Sequence, residues 1–410
     1  MTSDSFVFNP YAPGYDADPT PVYRQLREDH PVYRWERGRA FILSRYQDVV
    51  ALMKDPRFSR SVKAFRYYQP IPDRPEYADF RSATDHSILM ADHDDHLRLR
   101  RLINPAFSPK AVEWMREHTR QITREALDLL PDDEVVDLSP FTDFIPLRVI
   151  GRQLGIPAEK EPEFLAFARA RTELLTPGLP PARLDELIRA LGPGFRSVRE
   201  LIEERRGRPG DDLLSILIHH EESGDRVSDP ELLALVGALI AAGSDTTVHT
   251  LRFMLLDLLQ HRDQLALVQR DPSLARAAME ESLRYNHFSR LGLPMYALED
   301  VELHGVNIGK GEMVFSLSGS AGRDSAAFER PDEFDLLRPD LAAARNFGAG
   351  SHLCLGVHLA RMEAEVVLPM ILERFPDMSL AGPPEFTPHF LFRLMHRLPV
   401  RVRRPASTAA

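Results

Sequence analysis

The stretch SDPELLALVGALIAAGSDTTVHTLRFMLLDLLQHRD, Ser228 to Asp263, constrains the fold more than any other part of the chain. Ser228 or Asp229 can cap a helix, and Pro230 and Glu231 suit its first turn. The helical pattern continues to about His261. At about 1.5 Å per residue such a helix is on the order of 50 Å long, well beyond the usual length. Its first half is apolar on nearly every side, so it is expected to run through a core rather than along a surface. In the middle, AGSDTT (Ala242 to Thr247) breaks the pattern. Glycine and short polar residues form helix poorly, Asp245 is costly to bury alone, and Ser and Thr hydroxyls compete for backbone carbonyls. Two readings follow: a polar break at a kink or helix end, or an opened groove where Asp245 and Thr246 present a carboxylate and a hydroxyl to a ligand. A local violation inside an otherwise consistent helix marks a candidate site.

Helical patterning extends on either side of this segment, from Asp95 to Tyr285, with breaks at NPAFSP, LPDDEVVDLSP, LTPGLPPARL and RRGRPGDD. Before it, the proline- and aromatic-rich segment to about Pro21 predicts ordered coil over the surface. PVYRQLREDH predicts a short helix, VYRWERGRAFILSRY a hairpin turning at Gly38, and YQDVVALMKD another helix. Arg57 to Asp95 is weakly periodic and reads as a long functional or mobile loop. After it, strand-like pieces run from Leu291 to Ser320, then come coil, a further helix and a β-like tail. The expected fold is mainly α with small antiparallel sheets built from both ends, a single domain over 1–410 with coil at 1–21 and a flexible tail at 404–410.

The single cysteine of the chain, Cys354, lies in FGAGSHLCLGVHLARME. One cysteine forms no internal disulfide, which points to a reducing compartment. Glycines at 348, 350 and 356 permit tight turns and let a flat ligand approach the backbone. The helix that follows is expected to place Cys354 at its N-terminus, where amides and the macrodipole favour a thiolate. A thiolate serves as nucleophile or metal ligand. No second cysteine offers a zinc pair and the histidines lack zinc spacings, whereas one thiolate in a glycine-lined bed suits the axial position of a porphyrin iron. The nucleophile reading would use His352 as its base.

Other polar groups have plainer readings. Glu281 and Arg284 in EESLRY share a helix face, as an ion pair would. DDHLRLRRL puts His96 and Arg100 on one face and Arg98 and Arg101 on another, the pattern of a basic surface helix. The net charge of -10 argues against affinity for nucleic acid or an anionic membrane. The first residues lack the pattern of a signal peptide, and no run of about 18 uncharged apolar residues marks a simple membrane span. A cytoplasmic protein is expected.

FGAGSHLCLG resembles the haem-binding signature Phe-x-x-Gly-x-His-x-Cys-x-Gly of the cytochrome P450 monooxygenases. AGSDTT, ESLR and HLRLRR resemble that family's oxygen-activating segment, its Glu-x-x-Arg pair and its His-x-x-x-Arg helix, in the family's order. The similarity runs from about Asn9 to Arg403, looks like the soluble bacterial type, and around NPYAPGYDADP and GEMVFSL is closest to members that tailor polyketides such as macrolides.

The resemblance implies a P450-like fold with its long helix over haem b, and Cys354 as thiolate ligand. Phe347 would lie near the sulfur, with Gly348, Gly356, Ala242 and Gly243 against the cofactor, Gly243 leaving room for oxygen. His96, Arg100 and His352 would hold the propionates, and Asp245 and Thr246 would govern proton delivery. Glu281 and Arg284, with Arg338 of FDLLR, would form a structural ion pair. Many relatives carry a propionate-binding arginine where this chain has Met295, so that contact would come from elsewhere or be absent. Ile88, Leu89, Met90, Leu239, Ala242, Leu291, Leu293, Phe390 and Leu391 would line a pocket for a lipophilic substrate.

The implied activity is insertion of one oxygen atom from O2 into a lipophilic small molecule by hydroxylation or epoxidation, in secondary metabolism such as polyketide tailoring. Electrons would come from NAD(P)H through a separate ferredoxin and reductase, since no flavin or nucleotide motif is present. Arg98 and Arg101 are candidate docking charges, and a monomer is expected. A peroxide-driven peroxygenase and a non-catalytic haem-binding or gas-sensing module are the alternatives, and the intact SDTT argues against both.

Overall fold

A computed structural model of the chain describes residues 6–131, 134–221 and 224–403. The expected tail at 404–410 lies outside them. The N-terminal part holds α1 (Thr20–Asp29), β1 (Val32–Trp35), β2 (Ala40–Leu43), α2 (Tyr46–Leu52), β3 (Phe58–Ser59) and α3 (Ala78–Asp85). A run of helices follows: α4 (His93–Ile103), α5 (Pro109–Glu113), α6 (Met115–Asp128), α7 (Ser139–Leu154), α8 (Glu161–Glu173), α9 (Pro181–Gly207), α10 (Leu213–His219), α11 (Asp229–Gln260), α12 (Arg262–Arg270) and α13 (Ala275–Tyr285). Strand β4 (Val135–Asp137) interrupts it. The C-terminal part contains β5 (Met295–Ala297), β6 (Val301–Leu303), β7 (Val306–Ile308), β8 (Met313–Ser316), α14 (Ser318–Ala321), α15 (Val357–Arg374), β9 (Asp377–Leu380), β10 (Glu385–Thr387), β11 (Leu394–Arg397) and β12 (Pro399–Arg403).

Ser228 caps α11 in a capping box with Glu231, and the helix runs 32 residues, about 48 Å. By length and composition α11 passes for a membrane span, but it is mostly enclosed by protein. It packs on α3, α7, α8, α9 and α13, and its aliphatic side chains form the spine of the main core. AGSDTT does not open it. Ser244 Oγ donates to Ile240 O (2.7 Å), Thr246 Oγ1 to Ala242 O (2.6 Å) and Thr250 Oγ1 to Thr246 O (2.8 Å). Hydroxyls that bond back to the preceding turn need no break in the helix.

The main sheet has the order β1-β2-β8-β5-β3, joining both ends of the chain. The hairpin pairs Trp35 with Ala40 across Gly38. One pairing departs from the antiparallel expectation: β2 and β8 run parallel, Ala40 beside Met313, since they come from segments far apart in the chain rather than from one hairpin. The weakly periodic region after Arg57 holds β3, α3 and the start of α4. Nor is the N-terminal segment merely superficial, because Phe8 and Tyr15 are buried against Trp35 and Leu391. Arg393 holds that segment by donating to Asp16 O at 2.5 and 2.8 Å.

Candidate active site

Cys354 sits in a loop built by two left-handed glycines, Gly348 (φ 81°) and Gly350 (φ 72°). A side chain is unfavourable at either angle, and a Cβ on Gly350 would also lie 2.9 Å from Met53 O. The loop closes when the Cys354 amide donates to Phe347 O at 2.9 Å. Helix α15 starts at Val357 with Gly356 as its cap, so the thiol precedes the helix rather than occupying its first turn. Cys354 is exposed at the surface of its loop, yet desolvation by the surrounding protein raises its pKa. The Gly356 amide and the guanidinium groups of Arg100 and Arg361 oppose that rise without cancelling it. The helix-terminus expectation of a lowered thiol pKa is therefore overridden by desolvation. An accessible yet desolvated atom is what the floor of an interior cleft presents. A Cβ on Gly356 would meet no atom within 4 Å, and one on Gly348 only His352 O at 3.9 Å, so the bed beside the sulfur is open. Phe347 packs at the edge of the main core with the Arg361 guanidinium 5.3 Å from its ring centre.

Beside the thiol lies a group of cations and imidazoles. His96, on α4, is buried and stacks on His352 with ring centres 3.8 Å apart. Burial, and then the Arg100 charge, push its pKa down to about 4, and burial and His96 push that of His352 to about 3. His96 Nδ1 is buried without a hydrogen-bond partner. Arg100 has no polar partner among the described residues, and burial lowers its pKa.

Arg60 joins this group, a residue the sequence did not single out. It follows β3, donates from Nη1 to Leu293 O at 2.9 Å, and leaves Nε buried and unpaired. Its amide donates to Asp92, which also accepts from Ser59 Oγ. Met295, where an arginine was expected in relatives, is buried in an apolar cluster behind the sheet. Asp92 is a carboxylate neighbour of Arg60 and His96, yet Arg60 Nε and His96 Nδ1 keep no hydrogen-bond partner. Unpaired donors next to an exposed cysteine in a glycine bed fit a flat group that carries carboxylates and a thiolate-seeking metal. Haem meets that description. Among the described residues no three His, Cys, Asp or Glu side chains gather as a separate metal cluster.

On α11 the polar segment distributes its members over different faces. Ala242 is exposed although it lies on a core helix, and Thr246, one turn on, is half-buried. Their exposure on an otherwise enclosed helix marks a face that the described side chains leave uncovered. Gly243 points elsewhere: a Cβ there would lie 3.0 to 3.3 Å from three atoms of Ile150 on α7. Its missing side chain permits close α7–α11 packing, and the expected clearance for oxygen at this residue is not what the geometry provides. Asp245 turns to α8, where its Oδ2 accepts from Thr172 Oγ1 at 2.5 Å. Burial raises the Asp245 pKa, against the lowering effect of that hydrogen bond and of Arg169. Nothing in the sequence pairs Thr172 with Asp245, since 73 residues separate them.

Glu281 and Arg284 of α13 are wholly buried and joined by two bonds, Nε–Oε2 2.7 Å and Nη2–Oε1 2.8 Å. Arg338 adds Nε–Oε1 at 3.0 Å. The two arginines also bind carbonyls of Gly322, Glu329, Arg330, Pro331 and Glu333, which fastens the segment before the cysteine loop to α13.

The proposed pocket residues separate into two sets. Leu89, Met90 and Leu293 are half-buried, and Ile88 and Leu239 are nearly enclosed. Leu291 (1 % exposed) and Leu391 (0 %) are core, not lining, because both backbones meet at Leu391 O and their side chains pack with Trp35 and Phe315. Phe390 is occupied in stacking on Trp35, ring centres 5.8 Å apart. Arg98 is not a free docking charge, since it pairs with Asp225 (3.0 Å) and Glu231, while Arg101 is exposed.

Comparison with known proteins agrees with this geometry. The family model for Cytochrome P450 matches residues 184–380. The epothilone C/D epoxidase of Sorangium cellulosum is 39% identical over 409 residues, covering 97% of this chain and 96% of that protein. The polyketide biosynthesis cytochrome P450 PksS of Bacillus subtilis is 32% identical over 411 residues, covering 98% and 100%. The crystal structure of epothilone D-bound cytochrome P450epoK superposes with a TM-score of 0.91 at 36% identity, covering 98% of this chain and all of that one. With whole-length identity at this level and the cysteine loop in place, the chain belongs to the cytochrome P450 family and is a monooxygenase of the bacterial type.

Proposed function

We propose that this monooxygenase hydroxylates or epoxidises a lipophilic polyketide in secondary metabolism, working in the cytoplasm as a monomer. Haem b on Cys354 would take electrons from NAD(P)H through a separate ferredoxin and its reductase. The observation that carries the reading is the exposed Cys354 in its glycine loop, beside buried donors on Arg60 and His96 that have no hydrogen-bond partner. Haem, when bound, supplies the dioxygen activation that no side chain provides. Cys354 would hold its iron, and His96, Arg100 and His352 its propionates. Arg60 would contribute the donor that Met295 does not. Gly348 and Gly356 leave room for the macrocycle, and Phe347 shields the sulfur.

The protein's own part in the chemistry is proton handling and exclusion of water. Asp245, its carboxyl pKa raised by burial and its orientation fixed by Thr172, exchanges protons more readily near neutrality than a solvated aspartate. Thr246 Oγ1 donates to Ala242 O, and on releasing that carbonyl its hydroxyl can turn to donate a hydrogen bond to a group bound beside α11. Glu281, Arg284 and Arg338 keep the cysteine loop in register from behind. Leu89, Met90 and Leu293, with Ile88 and Leu239 at their margin, offer an apolar surface to the substrate. The names of the two curated relatives support a polyketide as that substrate.

The test is reconstitution with a surrogate ferredoxin, its reductase, NADPH and labelled O2 on a panel of lipophilic polyketides that includes both macrolactones and open-chain acids. One labelled oxygen in a product is expected. Product formation driven by hydrogen peroxide alone, with none from NADPH and O2, favours the peroxygenase reading instead. No product from any compound and no NADPH oxidation beyond that of the redox partners alone favours the binding module.

A further inference from the structure

Arg171 is a charge without a counterpart. It lies on α8 one residue before Thr172, on the stripe Phe164, Phe167, Ala168, Arg171, Leu175 that recurs every three to four residues. The stripe faces inward. Phe164, Phe167 and Ala168 are buried, the Phe167 ring packs edge-on against Phe195, and Leu175 joins the cluster around Trp35 and Leu391. An apolar side chain would continue this stripe without penalty. The guanidinium instead makes no hydrogen bond, ion pair or ring contact among the described residues. Burial alone lowers its pKa to about 10, with no carboxylate near enough to raise it. It therefore stays charged at neutral pH, half-buried and unpaired, an arrangement that ordinarily destabilises a protein. The neighbouring Thr172 is committed to Asp245, and Arg183 further along is committed to Glu173 and Glu186, so neither chain of contacts reaches Arg171. A cation that is desolvated yet still accessible has the geometry of a ligand anchor: its five donors are available in a low-dielectric setting where a bidentate acceptor binds strongly.

We propose that Arg171 recognises a carboxylate on the substrate, so that this enzyme's polyketide is a lipophilic acid rather than a neutral lactone. The inference rests on the monooxygenase reading in taking the space under α8 for the substrate chamber. Arg171 fixes one end of the molecule near the Thr172–Asp245 contact, and the apolar remainder extends toward Ala242 and Thr246.

Isothermal titration of the holoenzyme with two probes of equal length, dodecanoate and dodecanamide, tests it. The wild type should bind dodecanoate about tenfold to a hundredfold more tightly than the amide. Arg171→Gln should erase that difference with little change in amide binding, and Arg171→Lys should retain part of it. No preference in the wild type, no binding of dodecanoate, or a preference that survives Arg171→Gln overturns the proposal. The carbon monoxide difference spectrum of the same preparations reports on the haem reading separately. A carboxylate preference lost in Arg171→Gln, in protein with no haem band, would refute that reading and leave the anchor standing.

Discussion

Replacing Glu281 by glutamine keeps the shape of the side chain and removes its charge. The carboxylate accepts two bonds from Arg284 (2.7 and 2.8 Å), one from Arg338 (3.0 Å) and one from the Asp335 amide (2.9 Å), with no exposed surface on Glu281 or Arg284. Asp340 balances Arg338 at 2.8 Å, so the loss of Glu281 leaves one net positive charge enclosed. Charge-assisted bonds contribute about 1.5–3 kcal/mol each, and breaking a buried pair on one side costs about 3–5 kcal/mol. Glu281→Gln is therefore expected to lose about 3–5 kcal/mol from a total of about 5–15 kcal/mol. Urea unfolding of the haem-loaded protein, followed by circular dichroism and by tryptophan fluorescence, measures it. Arg284→Met alone also forfeits bonds to Gly322 O, Pro331 O and Glu333 O, so its cost overstates the ion pair. The double-mutant cycle isolates the pair and should give a coupling of about 2 kcal/mol or more, because removing both partners leaves no orphaned charge between them. A Glu281→Gln loss under about 1 kcal/mol, or additivity within about 0.5 kcal/mol, refutes the reasoning.

Three further outcomes are expected. Arg60→Met should speed transfer of haem to apomyoglobin by about tenfold, the loss of one charge-assisted bond; an unchanged transfer rate removes Arg60 from the propionate set. Thr246→Ala should divert at least half of the NADPH consumed into peroxide, and Asp245→Asn should slow turnover by about a hundredfold, a contribution typical of a positioned acid; full coupling in both variants removes them from proton delivery. Asp257 is buried on α11, holds Ser282 Oγ and Asn286 Nδ2, and has its pKa pushed up to about 7 by burial. The folded state thus binds an extra proton between about pH 4 and pH 7, and stability should fall across that window as pH rises, by roughly 2–4 kcal/mol. Asp257→Asn should flatten that fall in urea titrations at pH 5 and pH 8, and an unaltered pH dependence would count against the burial argument.

Local chemistry explains which features were legible in the sequence. The Gly38 hairpin follows from alternation around a turn, and the start of α11 from Ser228 and Glu231 three apart. The signals around Cys354 are similarly compact, since its loop is made by glycines a few residues away. Contacts made across the fold left no such trace. Arg60 is one of 51 Lys and Arg residues until β3 carries it to Leu293, and Thr172 meets Asp245 only because α8 packs on α11. Gly243 was misread because pattern alone does not tell which neighbour a helix face meets, here Ile150. Leu291 and Leu391 were misassigned for a related reason: an apolar residue suits a pocket wall and a sheet core equally, and burial alone separates the two.

The most direct test of thiolate ligation is the absorbance of the purified protein, first oxidised, then reduced with dithionite under carbon monoxide, beside Cys354→Ala. Ligation by Cys354 predicts the strongly red-shifted Soret band of a haem-thiolate carbonyl in the wild type and its loss in the variant. A wild-type protein expressed with haem available that shows no such band, or a variant that keeps it, contradicts the assignment.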